Sequence, residues 1–390
     1  MRDKLLSQRI SAIKESATLA LNAKVKALAA SGVTVYNLTA GEPDDQTPQY
    51  IINKVSDHLH ENKYTPISGM PVLKDAIVQH ARSFYDANWM DSSMVVVTAG
   101  AKPALSAIMQ SLLNPGDEVI VPTPAWVSYT YMVQLADGVI KPVPLQSDFD
   151  LDVDALQAAI TDKTKAIIIN SPNNPTGKMY SSSALKKLAK ALENTDVFII
   201  ADDLYTKLVF EPFTPITSCG FTPDKLIIVN GFSKSQALTG WRIGYVIAPT
   251  DIAQSLNRTL SHTSGNASVP SQYAAIGALE VDDTPPMLEN LRTRRDIVAR
   301  ALSSTNGISF TLPDGAFYFF IDIHQQADDA ADWCADLLEQ TGVALVPGND
   351  FYAPGFVRLS YAVDEETLTA ALQKISQFIQ SYSQRQRSKS

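Results

Sequence analysis

Six short apolar runs punctuate the first two thirds of the chain: "MVVVT" (94–98), "EVIVP" (118–122), "AIIIN" (166–170), "VFIIA" (197–201), "LIIVN" (226–230) and "GYVIA" (244–248). Each is rich in Val and Ile, too short for a helix and almost unbroken by polar residues. That pattern predicts strands buried on both faces, and the helix-length segments between them predict a largely parallel sheet covered by helices on both sides. The fold class is therefore α/β. From about residue 286 the pattern changes to a long charged helix, "MLENLRTRRDIVARALSS", followed by "GAFYFFIDI", "VALVPG" and "FVRLSYA" with helices between and after them. This predicts a smaller α+β domain on which the N-terminal segment packs. The expected division is 48–285 for the large domain and 1–47 with 286–390 for the small one. No internal repeat, low-complexity stretch or exposed linker interrupts the chain, so the two parts are expected to share a broad interface.

Composition narrows the function classes. The 390 residues are 45% hydrophobic, enough for a sizeable core, and the formal charge of −9 argues against a nucleic-acid surface. The basic C-terminal end, "QRQRSKS", reads as a solvated tail. Two cysteines, Cys219 and Cys334, have no metal-like spacing and suggest neither a disulfide framework nor a zinc site, which fits a cytoplasmic setting. No apolar run approaches a membrane span, and the N-terminus "MRDKLLSQRISAIKESATLALNAK" scatters charges through its apolar residues like an amphipathic arm or helix.

In open α/β sheets, ligands sit beyond the carboxyl ends of the strands. Those positions read "TAGAKPAL", "PTPAW", "NSPNNPTG", "DDLY" and "GFSK" in chain order. Together they suit one anionic, aromatic, carbonyl-bearing ligand. Gly100, Ala101 and Lys102 open a helix whose free N–H groups can hold a phosphate. Trp126 can stack on a flat ring, Asp202 stands at a strand mouth, and Tyr205 follows it by three residues. Each also has a plainer reading: a bend, loop packing, a helix cap, or for Asn174 a Pro/Gly turn. Lys234 alone would pass for an exposed strand-end lysine. In a partly desolvated cleft its amine would instead have a depressed pKa and could form a Schiff base with an aldehyde.

The set resembles the class I pyridoxal-phosphate aminotransferases of fold type I, specifically the aspartate aminotransferase group. The resemblance runs nearly end to end, through "LTAGEPD", "KYTPISGMPVLKDAI", "VTAGAKPAL", "NPGDEVIVPTPAWVSY", "NSPNNPTG", "ADDLY", "GFSKSQALTGWRIGY", "PDGAFYFF" and "VALVPGNDFYAPGFVRLSYA". It implies pyridoxal 5'-phosphate as cofactor, with Lys234 as the Schiff-base lysine and proton shuttle and Asp202 on the pyridine nitrogen. It places Tyr205 and Asn174 on the ring oxygen and Trp126 on the ring face. Gly100, Ala101, Lys102, Ser233 and Arg242 meet the phosphate, joined by Tyr64 from across a homodimer interface. Arg358 binds the substrate α-carboxylate, with Gly41 close by.

The activity implied is ping-pong transamination of amino acids and 2-oxo acids, with aspartate and 2-oxoglutarate as the leading pair. The rivals on the same fold are an aromatic or other neutral amino-acid aminotransferase and a C–S lyase. Members that favour dicarboxylates meet the distal carboxylate with a serine, here Ser16, and a basic residue on the helix after the phosphate turn. The expected register puts Gln110 at that basic position, which offers hydrogen bonds without charge.

Overall fold

The computed structural model describes residues 7–13, 17–281, 285 and 287–387. After a two-residue strand β1 (Tyr36–Asn37) come the strands of a seven-stranded sheet. They are β2 (Val95–Thr98), β3 (Glu118–Thr123), β4 (Val139–Pro144), β5 (Thr164–Asn170), β6 (Phe198–Asp202), β7 (Leu226–Gly231) and β8 (Gly244–Ile247). Their spatial order is β2-β8-β7-β6-β5-β3-β4, parallel except for β8, which runs antiparallel to both neighbours.

The unbroken apolar runs are explained by two cores, one on each face of the sheet. Alternation sends Ile167, Ile199 and Ile228 to one core and Ile168, Ile200 and Ile227 to the other. Helices Pro71–Phe84, Ser182–Ala191 and Val269–Leu279 cover the first face. Helices Ala101–Leu112, Ser128–Leu135 and Thr250–Ser261 cover the second. All six expected runs are strands. The seventh strand, β4, carries the pattern "VIKPVP" and is largely exposed. It lies at one sheet edge, where proline is tolerated, and unlike β2 at the other edge it is not buried along its length, so it lacks the signal that marks the others.

The C-terminal part contributes β9 (Ser309–Phe310), β10 (Tyr318–Asp322), β11 (Val343–Ala344), β12 (Val346–Pro347) and β13 (Phe356–Ser360). Four of these form an antiparallel sheet in the order β12-β13-β10-β9, and β11 pairs in parallel with β1. Helices Leu288–Ser303, Ala330–Thr341 and the long Glu365–Arg387 pack against it around a third core containing Phe317, Phe319, Trp333 and Phe378. On β13, Val357 and Leu359 enter this core, which turns Arg358 between them to the opposite face.

The N-terminal segment divides. Val25 on helix Ala17–Ala30 packs on Leu338 and Ala344. The short helix Gln8–Ser11 instead reaches the large sheet's side, where the Arg9 guanidinium donates to Asp137 at 3.0 and 2.6 Å. Both groups are exposed, so this pair fixes the arm's direction more than it adds stability.

Ile228 is 0% exposed near the middle of β7 and packs in the core on the first face of the sheet. Ile228→Ala should lower unfolding free energy by roughly 2–5 kcal/mol. Urea unfolding should show a lower midpoint with an unchanged slope.

Candidate active site

The carboxyl ends of β5, β6 and β7 converge with β10 and β13 on one cleft of about 540 Å3. Register brings the first polar pair together: Asn170 on β5 lies beside Asp202 on β6. The Asn170 side-chain amide donates to the Asp202 carbonyl at 2.8 Å, and its oxygen accepts from the Asn174 N–H at 2.8 Å. Asn170 therefore fixes both a strand end and the "NNPTG" turn.

Asp202 is buried with its carboxylate in the cleft wall. The Tyr129 hydroxyl donates to one carboxylate oxygen at 2.5 Å, while Oδ1 is buried without a hydrogen-bond partner. Burial pushes this carboxyl above its ordinary range, against the hydrogen bond from Tyr129. A buried, unpartnered carboxylate oxygen is costly unless a ligand donor meets it. The neighbouring Asp203 does not face the cleft. It points behind β6 toward Tyr85, whose hydroxyl accepts from the Asn230 amide at 2.9 Å.

Lys234 follows β7 and its Nζ donates to the Gly41 carbonyl at 2.5 Å. Burial brings its pKa down to about 8, with Glu42 opposing the shift and Arg358 and Arg242 adding to it. About a tenth of the amine is then neutral at pH 7, against well under a thousandth for an ordinary surface lysine.

Gly100 has φ +101°, and a Cβ there would stand 2.7 Å from Arg242 Nη2. Only glycine fits both the backbone and the approach of the guanidinium. Arg242, itself at φ 54°, is held by donation from Nη1 to the Thr239 carbonyl at 2.9 Å. Its guanidinium thus faces the N-terminal end of helix Ala101–Leu112, where Ala101 and Lys102 line the cleft. Ser233 is buried on the same wall. Trp126 stands edge-on to Tyr129 at 5.3 Å, with the Lys102 ammonium 4.8 Å from its ring centroid.

Arg358 is buried, donating from Nη1 to Asn174 Oδ1 and from Nη2 to the Thr39 carbonyl, each at 2.9 Å. Its Nε has no partner, and among the described residues no carboxylate forms an ion pair with it. Lys102, Lys234, Arg242 and Arg358 face the cleft against only Glu42 and Asp202. In a chain of charge −9, this is a local cationic well.

Of the residues singled out by sequence, the cleft gathers Gly41, Ala101, Lys102, Trp126, Asn174, Asp202, Tyr205, Ser233, Lys234, Arg242 and Arg358, with Gly100 directly behind. Tyr64 is 98% exposed and stands away from the cleft of its own chain. Gln110 is not brought to the cleft: it is exposed and its amide donates to Ser106 Oγ at 3.3 Å. At 1.5 Å per residue it lies roughly 13 Å along the helix from Ala101. Ser16 lies outside the described residues. Sequence reasoning passed over Tyr129, Asn170 and Tyr318, all lining the cleft. Asn170 opened the quoted strand-end motif "NSPNNPTG", where the rule that polar groups gather could have found it; Tyr129 lay three residues beyond "PTPAW", on the helix that follows.

Residues 33–375 match the family described as aminotransferase class I and II. The chain belongs to that family. It is therefore an aminotransferase, with the fold type I α/β architecture. It is 40% identical to the aspartate aminotransferase of Thermotoga maritima, over 97% of this chain and all of the relative. The crystal structure of that protein superposes with a TM-score of 0.92, covering 96% of this chain and 100% of the other. The asparagine–oxo-acid transaminase of Streptococcus mutans is 38% identical over 96% of this chain and 99% of its own. The aspartate/prephenate aminotransferase of Thermus thermophilus is 37% identical over 96% and 98%.

Burial lifts the Asp203 carboxyl from 3.8 to about 7, reinforced by the charge of Asp202. Its neutral form is favoured in the folded protein, so its contribution to stability is lost as pH rises from 3.8 through about 7. Asp203→Asn removes that loss. The variant should gain stability over the wild type with rising pH, reaching roughly 1–4 kcal/mol at pH 8, since each pKa unit is worth about 1.4 kcal/mol. Paired denaturation curves at pH 5 and pH 8 check this; a pH-independent difference would refute it.

Proposed function

We propose that the protein is a pyridoxal-phosphate-dependent aminotransferase whose preferred exchange is between aspartate and 2-oxoglutarate. The observation that carries this reading is the pairing, in one cleft, of a lysine whose amine is brought down to about 8 with a buried carboxylate left one partner short. The donor set fits the cofactor: an unpartnered carboxylate oxygen for a ring N–H, an indole face, and a glycine-lined helix start beneath a guanidinium for a phosphate.

In this reading Asp202 holds the pyridine nitrogen, Tyr205 and Asn174 the ring oxygen, and Trp126 the ring face. Gly100, Ala101 and Lys102 offer backbone N–H groups to the phosphate, with Ser233, Arg242 and the partner subunit's Tyr64 around it. When bound, pyridoxal phosphate supplies an electron sink for the pair left at the substrate α-carbon and carries the amino group between half-reactions. Lys234 Nζ takes the α-proton and returns it on the other side of the exchange, a role that its partly neutral amine suits. Arg358 receives the α-carboxylate on its planar fork, trading its present carbonyl partners for a charged one. Gly41, with no side chain in the way, leaves that approach open.

The distal carboxylate needs a cation, and Lys102 supplies what Gln110 does not. Its ammonium stands over Trp126 at the cleft, and no carboxylate among the described residues pairs with it. Ser16 remains a candidate partner for the same group. Relatives of nearly equal identity are named for aspartate, asparagine–oxo-acid and aspartate/prephenate transamination, so a neighbouring donor is the alternative outcome. A homodimer with shared sites, a cytoplasmic setting for the buried free thiols of Cys219 and Cys334, and a division into lobes 48–285 and 1–47 with 286–390 belong to the same proposal.

The experiment is a donor panel on holoenzyme with 2-oxoglutarate as acceptor. Aspartate should give oxaloacetate and glutamate; pyruvate and ammonia without acceptor would mark a lyase instead. Borohydride reduction should fix the cofactor on Lys234. Lys234→Ala should retain bound cofactor and lose roughly 10²–10⁴-fold in turnover. Lys102→Gln should lower kcat/KM for aspartate relative to phenylalanine about tenfold, an unchanged ratio excluding Lys102 from the distal site.

A further inference from the structure

Tyr318 lines the cleft, yet the reading above gives it no task. It is 0% exposed, and its hydroxyl faces the Tyr205 hydroxyl at 3.0 Å. The Arg358 guanidinium carbon stands 4.5 Å from the centroid of the Tyr318 ring. Strand register explains that contact. Phe320 on β10 lies opposite Arg358 on β13, so Tyr318, two residues earlier on the same face, is the diagonal neighbour of the arginine. Gly41 closes the third side, where a Cβ would lie 3.5 Å from the phenol oxygen.

A phenol has one proton to donate and lone pairs to accept. Two phenols facing each other must divide those roles, since only one proton can lie between the two oxygens. If Tyr205 spends its proton on Tyr318, none is left for the cleft. If Tyr318 donates, the Tyr205 proton is free to point inward, and accepting that bond polarises it as a donor. The arrangement favours the second division. The Arg358 guanidinium lies over the Tyr318 ring and draws electron density from that phenol, which makes it the better donor. Burial raises Tyr318 while Arg358 lowers it, and in Tyr205 the same charge is outweighed by burial and by Tyr318. Tyr205 is raised well above its ordinary value, also by burial first.

We propose that Tyr318 is a positioning residue: its hydroxyl donates to Tyr205 and directs the Tyr205 proton into the cleft, while its ring face carries Arg358. One side chain then ties the group that meets the cofactor ring oxygen to the group that meets the substrate carboxylate. The inference rests on the roles of Tyr205 and Arg358 in the proposed function. It makes the hydroxyl and the ring separable, the first acting on turnover and the second on substrate binding.

The test uses holoenzyme of wild type, Tyr318→Phe, Tyr318→Leu, Tyr205→Phe and the Tyr205→Phe/Tyr318→Phe double variant. Three quantities are read: kcat, KM for the amino donor, and the midpoint pH of the bound cofactor's visible absorbance. Tyr318→Phe keeps the ring, so KM should stay within about twofold while kcat falls about threefold or more. Its absorbance midpoint should move upward by about half a pH unit or more, because a weaker donor leaves the ring oxygen more basic. In the Tyr205→Phe background the same change should add nothing, since the group it acts through is gone. Tyr318→Leu removes the surface beneath Arg358 and should raise KM about tenfold. A wild-type midpoint and kcat in Tyr318→Phe would overturn the inference alone, as would additive effects in the double variant. A wild-type protein that takes up no cofactor would overturn the proposed function and this inference together.

Discussion

Burial of both faces of β5, β6 and β7 is the constraint from which the rest follows. A strand whose alternate side chains enter two separate cores has no polar face to spend on chemistry. Ionisable groups at the centre of the sheet can stand only where the strands end, and there Asp202 and Lys234 are largely out of water. Desolvation at that edge raises the Asp202 carboxyl and lowers the Lys234 amine at once. Both shifts oppose charge, and both come from the same cause. The acid–base character of the cleft is a property of the sheet's position before it is a property of any one residue.

Desolvated charge must still be held in place, and the cleft does so with partial partners. Asp202 has Tyr129 on one oxygen and nothing on the other; Arg358 has two carbonyl-type acceptors and a bare Nε. Neutral acceptors fix the geometry of a guanidinium without cancelling its charge. An ion pair would have cancelled it, and a ligand carboxylate would then have had to displace a stronger partner. Lys234 follows the same rule on the Gly41 carbonyl. The segment that supplies Thr39 and Gly41 therefore lends the site neutral acceptors that a charged ligand can displace.

Sequence reading succeeds where one physical requirement writes itself along consecutive residues. The doubly buried strands had to be unbroken Val/Ile runs, and they were legible. Strand β4, exposed along much of its length where the other edge strand β2 is buried, was not. The same logic separates the site residues. Asp202, Lys234 and Arg242 sit at strand ends or in the turn that follows, so their neighbourhood was local. Tyr318 reads as one more aromatic in "FYFF", because its partners lie far away in the chain: the β10–β13 register brings Arg358 beside it, and Tyr205 comes from the turn after β6. Gln110 failed for a different reason. Its expected place depended on counting turns along a helix, and the cationic side chain that reaches the cleft belongs instead to Lys102, in the helix's first turn.

The comparisons and the cleft together explain why membership and substrate are settled at different depths. The groups around Lys234, Asp202 and Arg358 are bound by the sheet, and relatives of 37–40% identity retain the whole chain length in which that sheet is built. Under the proposed function the donor's side chain is met elsewhere, by Lys102, whose exposed ammonium leans on Trp126 and pairs with no carboxylate among the described residues. Rim groups are few, and changing one leaves the buried machinery untouched. A difference of one charge there is worth about a factor of ten in preference, while overall identity barely moves. Relatives of 37–40% identity to this chain accordingly carry different substrate names.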